Sequence, residues 1–280
     1  PPPPPDDMPA EDTAEGEGGT IEIIGSTTVL PISEAWAKAY HEANPNVNVN
    51  VSGGGSGNGI KAIIDGTTDI GQDSRGIKDS EVELAKENGV DPVEHTVAYD
   101  GIAPVVHPDN PAESLSIEQL SDIYSGEVTS WSEVGVSGMA NDNIVVVSRD
   151  SASGTYESWK GMVIQMDGTA EDRDYTPAAL KKNSNKDVRQ TVADTPAAIG
   201  YIGLGYIDDS VKTIGVIPMD GGDAVKPVPA SVQDGSFPLS RGLYMYTDGE
   251  PTGIVADFLD WGKGDEGQAL VEEQGFVPMN

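Results

Sequence analysis

Three short stretches of this chain combine glycine with hydroxyl side chains, and each stands directly before a segment of helical periodicity. They are residues 25–28 (GSTT), residues 53–59 (GGGSGNG) and residues 149–155 (RDSASGT). A helix N-terminus presents unpaired N–H groups and the positive end of the helix dipole, so it attracts small anions. Serine and threonine hydroxyls add further donors. The three stretches therefore predict a site that binds an oxyanion.

The overall charge of the chain opposes anion binding. The 280 residues include 47 Asp and Glu against 16 Lys and Arg, a formal net charge of −31. Binding must then rest on short-range hydrogen bonds, because salt screens long-range repulsion over about 10 Å at 0.1 M. Of only five arginines, Arg75 and Arg149 lie in or beside the Ser/Gly-rich loops. A planar guanidinium there can hold an oxyanion through two hydrogen bonds.

Composition excludes several classes of protein and site. The acidic residues are spread along the chain, which is typical of halophilic proteins, although a general gain in solubility is the alternative. With no basic region to neutralise phosphates, no nucleic-acid partner is expected. The absence of cysteine excludes disulfides, zinc–thiolate sites and cysteine nucleophiles. Because His41, His95 and His107 show no metal-ligand spacing, neither a metal nor a cofactor is predicted.

The first 19 residues differ in composition from the rest. They contain five consecutive prolines, several acids and almost no apolar side chains, so they predict a disordered acidic, Pro-rich spacer. We expect this spacer to tether the folded part to a membrane, through a lipid anchor upstream of residue 1. The protein would then be extracytoplasmic, at the cell surface. A simple disordered tail is the alternative.

From Thr20 onward, short β-rich runs alternate with amphipathic segments, which predicts an α/β fold. Strands are predicted at residues 21–24, 47–51, 69–71, 97–107, 144–148, 198–202 and 243–247. Helices are predicted at residues 29–44, 56–65, 80–88, 116–124, 154–166, 188–193 and 254–261.

The order and spacing of the motifs resemble those of the phosphate-specific substrate-binding proteins of ABC importers, over about residues 20–279. Besides the three stretches, the resemblance is carried by residues 69–75 (DIGQDSR), 99–103 (YDGIA), 120–126 (LSDIYSG) with Trp131, and 195–201 (TPAAIGY). It implies a two-lobed periplasmic-binding-protein type II fold, each lobe a mixed sheet flanked by helices, with a hinge between the lobes. It also implies a monomer that closes on inorganic phosphate and delivers it to ABC permease subunits. Lobe 1 is expected at residues 20–105 and 236–280, and lobe 2 at 106–235.

The resemblance also implies a set of phosphate-binding residues at the positions that match the family's motifs. They are Ser26, Thr27, Thr28, Ser56, Arg149, Ser153, Gly154 and Thr155. Several have simpler interpretations, since residues 26–28 can be ordinary helix caps and Arg149 can be a surface ion-pair partner.

The chain departs from the family at one position. Some members carry an aspartate that accepts the proton of monohydrogen phosphate, whereas here that position is Ser74, between Asp73 and Arg75. Asp100 is the first candidate for this acceptor and Asp73 the second, although Asp100 can also be only a turn residue. A fixed carboxylate favours phosphate over sulfate, because sulfate has no proton to donate. Arg75 can contact the ligand, pair with either aspartate, or have no part in the site.

Two other functions remain open from the sequence. The first is binding of another tetrahedral oxyanion, such as sulfate or molybdate, and the second is hydrolysis of phosphoesters. An enzyme is not expected, because the Gly-x-Ser-x-Gly pattern fails around Ser56 and no histidine follows it in a recognisable context. The P-loop pattern also fails, since Lys61 is followed by Ala62 instead of serine or threonine.

Overall fold

The computed structural model describes residues 18–279. The predicted spacer lies almost wholly outside the described residues. Within them, eleven strands and nine α-helices alternate along the chain. The strands are β1 (Gly19–Gly25), β2 (Val47–Ser52), β3 (Ile70–Asp73), β4 (Pro92–Val106), β5 (Ser114–Ser116), β6 (Val145–Arg149), β7 (Leu180–Lys182), β8 (Ala198–Gly203), β9 (Lys212–Thr213), β10 (Gly215–Ile217) and β11 (Ser240–Asp248). The helices are α1 (Leu30–Ala43), α2 (Ser56–Ile64), α3 (Asp79–Glu87), α4 (Ile117–Ser125), α5 (Gly154–Trp159), α6 (Asn185–Ala193), α7 (Pro229–Gln233), α8 (Gly253–Lys263) and α9 (Asp265–Glu273).

One mixed sheet runs through the molecule in the order β2-β1-β3-β11-β4-β8-β6-β7, with β9 also on β4. The long strand β4 belongs to both halves. It pairs with β11 as far as Gly101 and with β8 from Ile102 onward, antiparallel in each case. The change of partner between these two residues divides the sheet into two lobes. The lobe boundaries predicted at residues 105/106 and 235/236 remain predictions.

Each lobe has its own apolar core. In the first, Trp36 of α1 is fully buried, donates from Nε1 to the carbonyl of Gly267 (2.8 Å) and meets Phe258 of α8 edge to face. In the second, Trp159 stacks on Tyr201 with ring centroids 4.5 Å apart, beside the fully buried Tyr124. Two separate cores allow the lobes to behave as rigid bodies on either side of the shared strand.

Several predicted elements need correction. The continuous helix predicted at residues 154–166 is wrong, because α5 gives way to a π-helical segment at Lys160–Ile164, and Met166 and Asp167 have left-handed backbone angles. Helix α6 begins at Asn185 instead of residue 188, since Ser184 caps its N-terminus. Strand β11 begins at Ser240 instead of residue 243. Elements β5, β7, β9, β10 and α7 were not predicted, because two to five residues are too few to show a period.

Helix α2 packs unusually closely on the sheet. A Cβ atom built on Gly59 would lie 2.7 Å from the carbonyl oxygen of Ile24 and 2.9 Å from that of Gln72. Both contacts are with backbone, which cannot move aside cheaply. The glycine therefore allows α2 to hold Ser56, its first residue, against the ends of β1 and β3.

Replacing Gly59 by alanine should destabilise the protein by about 1–3 kcal/mol, the usual cost of overpacking a well-filled interior. Urea unfolding followed by circular dichroism would measure this difference. Gly161→Ala is the matched control, because a Cβ at Gly161 meets nothing within 4 Å. Equal midpoints for the two variants would contradict the close packing of α2 on the sheet.

Candidate functional site

The three Gly- and hydroxyl-rich stretches meet between the two lobes. Residues 25–28 join β1 to α1, Ser56 opens α2, and residues 149–155 join β6 to α5. The backbone N–H of Gly57 in the first lobe donates to the carbonyl of Ala152 in the second (2.9 Å). The stretches predicted separately from the sequence thus form one site.

The hydroxyls of the first lobe are linked to one another. Ser26 Oγ donates to Ser74 Oγ (2.9 Å), and Ser56 Oγ lies 3.3 Å from the same oxygen. Ser56 Oγ also accepts from the backbone N–H of Ser74 (3.1 Å). Ser26 Oγ accepts from the N–H of Thr28 (3.1 Å) in the turn before α1, whose N-cap residue is Val29 and has no side-chain cap, so Ser26 is not the cap of this helix. Ser74 belongs to this group of buried hydroxyls.

The second lobe brings its hydroxyls against those of the first. Ser153 caps α5 by accepting from the N–H of Tyr156 (3.1 Å), and Thr155 Oγ1 lies 3.0 Å from Thr28 Oγ1 across the cleft. A Cβ atom on Gly154 would lie 2.2 Å from Ser56 Oγ and 2.7 Å from Ser74 Oγ. Only glycine lets the two helix starts approach this closely.

Arg149, the last residue of β6, is 1% exposed and lies at the centre of the site. Its Nε donates to the carbonyl of Lys182 (3.2 Å), and its Nη2 donates to Asn183 and to Thr27 Oγ1 (3.0 Å each). Its Nη1 has no hydrogen-bond partner among residues 18–279. The other four arginines each pair with a carboxylate, but Arg149 pairs with none in the described part of the chain. The alternative of a surface ion pair is therefore wrong.

Asp100, the candidate acceptor, is fully buried. Its Oδ2 accepts from both Nε (3.0 Å) and Nη2 (2.8 Å) of Arg241, and its Oδ1 accepts from the N–H of Leu204 (2.9 Å). Arg241 also donates to Thr155 Oγ1 (3.1 Å) and to the carbonyl of Ser74 (3.0 Å). The sequence did not predict a role for Arg241, whose place depends on its register opposite Asp100 in the β4–β11 pair.

Arg75, the other arginine that the sequence singles out, faces away from this centre. Arg75 donates to both carboxylate oxygens of Glu81 (2.7 and 3.0 Å), and its Nη1 lies 3.8 Å from Asp73 Oδ2. The predicted pairing with Asp73 is thus present but secondary, and Arg75 forms no ion pair with Asp100. Burial raises the pKa of Asp73, and the nearby guanidinium of Arg75 only partly offsets this effect.

A second buried residue was missed by the sequence reasoning. Asn185, the first residue of α6, donates from Nδ2 to Thr27 Oγ1 (3.1 Å) and Thr28 Oγ1 (3.0 Å). Its Oδ1 accepts from the N–H of Gly203 (3.1 Å). The signal that could have located it is Ser184 followed by Asp187, a typical helix start. Tyr206 adds a further bond across the cleft, from its hydroxyl to the carbonyl of Thr27.

Residues 18–279 contain no group of three or more His, Cys, Asp or Glu side chains arranged to hold a metal ion. None of their helices combines the length and the apolar character needed to cross a bilayer.

Comparison with known proteins places this site in a family. A family model described as a PBP superfamily domain matches residues 10–266. The phosphate-binding protein PstS of Bacillus subtilis is 32% identical over 276 residues, which cover 96% of this chain and 84% of that protein. The chain belongs to the PstS family of phosphate-binding proteins. The PstS of Pseudomonas aeruginosa is 30% identical, over 97% of this chain and 87% of its own length.

Solved structures agree with this family assignment. A phosphate-bound structure of an ABC transporter substrate-binding protein from Clostridium perfringens is 32% identical and has a TM-score of 0.81, covering 94% of this chain and all of that one. A phosphate transport receptor from Vibrio cholerae is 30% identical with a TM-score of 0.72, over 93% of this chain and 100% of its own. The predicted α/β, two-lobed fold and the resemblance to this family are confirmed. As a PstS-family member, the chain is a binding protein and not an enzyme.

Proposed function

We propose that this protein captures inorganic phosphate between its two lobes and delivers it to the permease of an ABC importer. The observation that carries the proposal is Arg149, a buried cation without a carboxylate partner among the described residues. A buried charge is costly unless an opposite charge compensates it. An oxyanion held at the meeting point of three helix starts supplies that charge.

The proposed phosphate-binding residues are those that line this meeting point. They are Ser26, Thr27, Thr28, Ser56, Asp100, Arg149, Ser153, Gly154 and Thr155. Ser74 joins the proposed set through its hydrogen bonds to Ser26 and Ser56, whereas Asp73 and Arg75 lie beside it.

The hydrogen bonds around the threonines favour a ligand that accepts hydrogen bonds. Thr27 Oγ1 receives hydrogen bonds from both Arg149 and Asn185, so its two lone pairs are occupied. Its own proton is then free to be donated to a ligand. At the same point, the guanidinium groups of Arg149 and Arg241 lie near a single paired carboxylate, that of Asp100. These two cations supply local positive charge for an anion within a strongly acidic protein.

Closure of the lobes around the ligand is supported by the contacts that span the cleft. Besides the hydroxyl contacts, Lys78 of the first lobe pairs with Glu157 of α5 (3.2 Å). The strands shared at Gly101 and Ile102 supply the connection about which such a motion would turn. For the cellular setting we propose a monomer outside the cytoplasm, tethered through the spacer of residues 1–19 and a lipid anchor.

Isothermal titration of extensively dialysed protein tests the function directly. We would titrate with phosphate and then with sulfate, near neutral pH and in molar KCl or NaCl. Tight phosphate binding without a sulfate signal is expected. Binding of sulfate or molybdate instead would keep the fold and overturn the ligand, and turnover in a chromogenic phosphatase assay would favour hydrolysis.

The Asp100→Asn variant should lose most of its preference for phosphate. The amide replaces a proton acceptor with a donor, so phosphate loses a partner and sulfate gains one, and the affinity ratio should fall about tenfold or more. Titration with both anions measures this ratio. Asp73→Asn is the matched variant and should keep the ratio. The reverse result would transfer the acceptor role to Asp73.

A further inference from the structure

The carboxylate of Asp100 has almost no free acceptor capacity. A carboxylate offers about four lone-pair positions. Arg241 occupies both positions of Oδ2, through Nε and Nη2, and the N–H of Leu204 occupies one of Oδ1. The N–H of Gly101 also stabilises the charged carboxylate, so at most one position of Oδ1 is left for a ligand. The guanidinium thus fixes both the orientation of the carboxylate and the oxygen that can still accept a proton.

Arg241 also contacts hydroxyls of both lobes. Its Nη2 donates to Thr155 Oγ1 at 3.1 Å and approaches Thr28 Oγ1 at 3.4 Å, while its Nη1 donates to the carbonyl of Ser74. Its side chain is only 6% exposed. An arginine that only supported the structure would not need to contact the proposed phosphate-binding threonines of both lobes.

We propose that Arg241 positions Asp100 as an acceptor-only carboxylate and thereby sets the discrimination of phosphate against sulfate. This inference rests on the proposed function. Arg149 attracts oxyanions of any kind because it offers donors alone, whereas the Arg241–Asp100 pair tests whether the anion has a proton to give.

The charges around Asp100 explain why the guanidinium is needed. Burial raises the pKa of Asp100, and Arg241 of β11 is the main group that opposes this rise. The other titratable groups near the pair are Tyr206, which follows β8, and Arg149 of β6, which faces Arg241. Without Arg241 the pKa of Asp100 rises further. A protonated Asp100 carries an O–H donor and no longer rejects sulfate.

The test measures phosphate and sulfate affinities by titration calorimetry in Arg241→Gln and Arg241→Lys, between about pH 5 and about pH 8. In Arg241→Gln the phosphate-to-sulfate ratio should fall about tenfold or more below that of the wild type at the same pH, and this difference from the wild type should grow as the pH is lowered. Lysine restores the charge but not both bonds to Oδ2, so its ratio should lie between those of glutamine and the wild type. Adding Arg241→Gln to Asp100→Asn should lower the ratio no further.

A purely structural role gives a different result. It would weaken both anions by the same factor and leave the pH dependence of the ratio the same as in the wild type, which would overturn the inference. If Arg241→Gln does not fold, Arg241→Lys decides, because a wild-type ratio in that variant also overturns it. Arg173→Gln, which removes an arginine paired with Asp122 away from the cleft, is the control for the loss of one positive charge. Failure of the wild-type protein to bind phosphate would instead overturn the proposed function itself.

Discussion

Replacing Arg149 by alanine should weaken phosphate binding by about 2–5 kcal/mol, a loss of roughly thirtyfold to several thousandfold. The guanidinium is buried, and its Nη1 has no hydrogen-bond partner among residues 18–279, so a bound anion would supply the charged acceptor that this nitrogen lacks. Titration calorimetry with phosphate measures the loss directly.

The same substitution should not destabilise the ligand-free protein by a comparable amount. Alanine removes a cation whose desolvation no carboxylate of the described chain compensates. Removing this buried charge should raise the free energy of unfolding, and losing the hydrogen bonds to Thr27, Lys182 and Asn183 should lower it. Urea unfolding without phosphate should therefore show only a small net change. Arg149→Lys keeps the charge and should recover part of the affinity. Unchanged phosphate affinity in Arg149→Ala would remove the main support for the proposed site.

Replacing Gly154 by alanine should reduce phosphate affinity at least about a hundredfold. The added Cβ would meet Ser56 Oγ at 2.2 Å and Ser56 Cβ at 2.9 Å, so the start of α5 must move away from α2. Such overpacking costs about 1–3 kcal/mol, and the displacement also separates the hydroxyls that bind together. Titration with phosphate measures the loss of affinity.

Small-angle scattering supplies a second measurement for this variant. The wild type should contract when phosphate is added, whereas Gly154→Ala should not. Gly161→Ala, a few residues further along and free of contacts within 4 Å, should bind and contract like the wild type. Normal contraction of Gly154→Ala with phosphate would show that the helix starts do not need to approach so closely.

The sequence predicted the parts of the site whose chemistry is local. The three Gly- and hydroxyl-rich stretches each show their glycines, hydroxyls and helix start within a few residues, and the structure brings them together. Arg241 was missed because its role depends on a partner 141 positions away, across the β4–β11 register. No local pattern encodes that distance. The halophilic character inferred from the acidic composition stays a prediction.

The partner of Arg75 shows that a residue close to a binding motif in the sequence can still pair outside the site. The sequence offers Asp73 and Asp100 as partners of Arg75, yet the main partner is Glu81, six residues further on, which also accepts from the N–H of Lys78 at the start of α3. Arg75 is thereby directed toward α3 and away from the hydroxyl cluster. Sequence proximity to a binding motif therefore does not decide which arginine faces the ligand.

The position of β11 in the sheet affects the order in which the strands can pair as the chain folds. This strand, residues 240–248, lies between β3 and β4, so it fills the middle of the first lobe although it is synthesised near the end. Strands β4, β6 and β8 can pair as soon as residue 203 is available. Until β11 is available, the edges of β3 and β4 in the first lobe stay unpaired, and they can pair with other chains. Strands β1, β2 and β3 can pair with one another early, but the sheet of the N-terminal lobe is completed only when β11 is available.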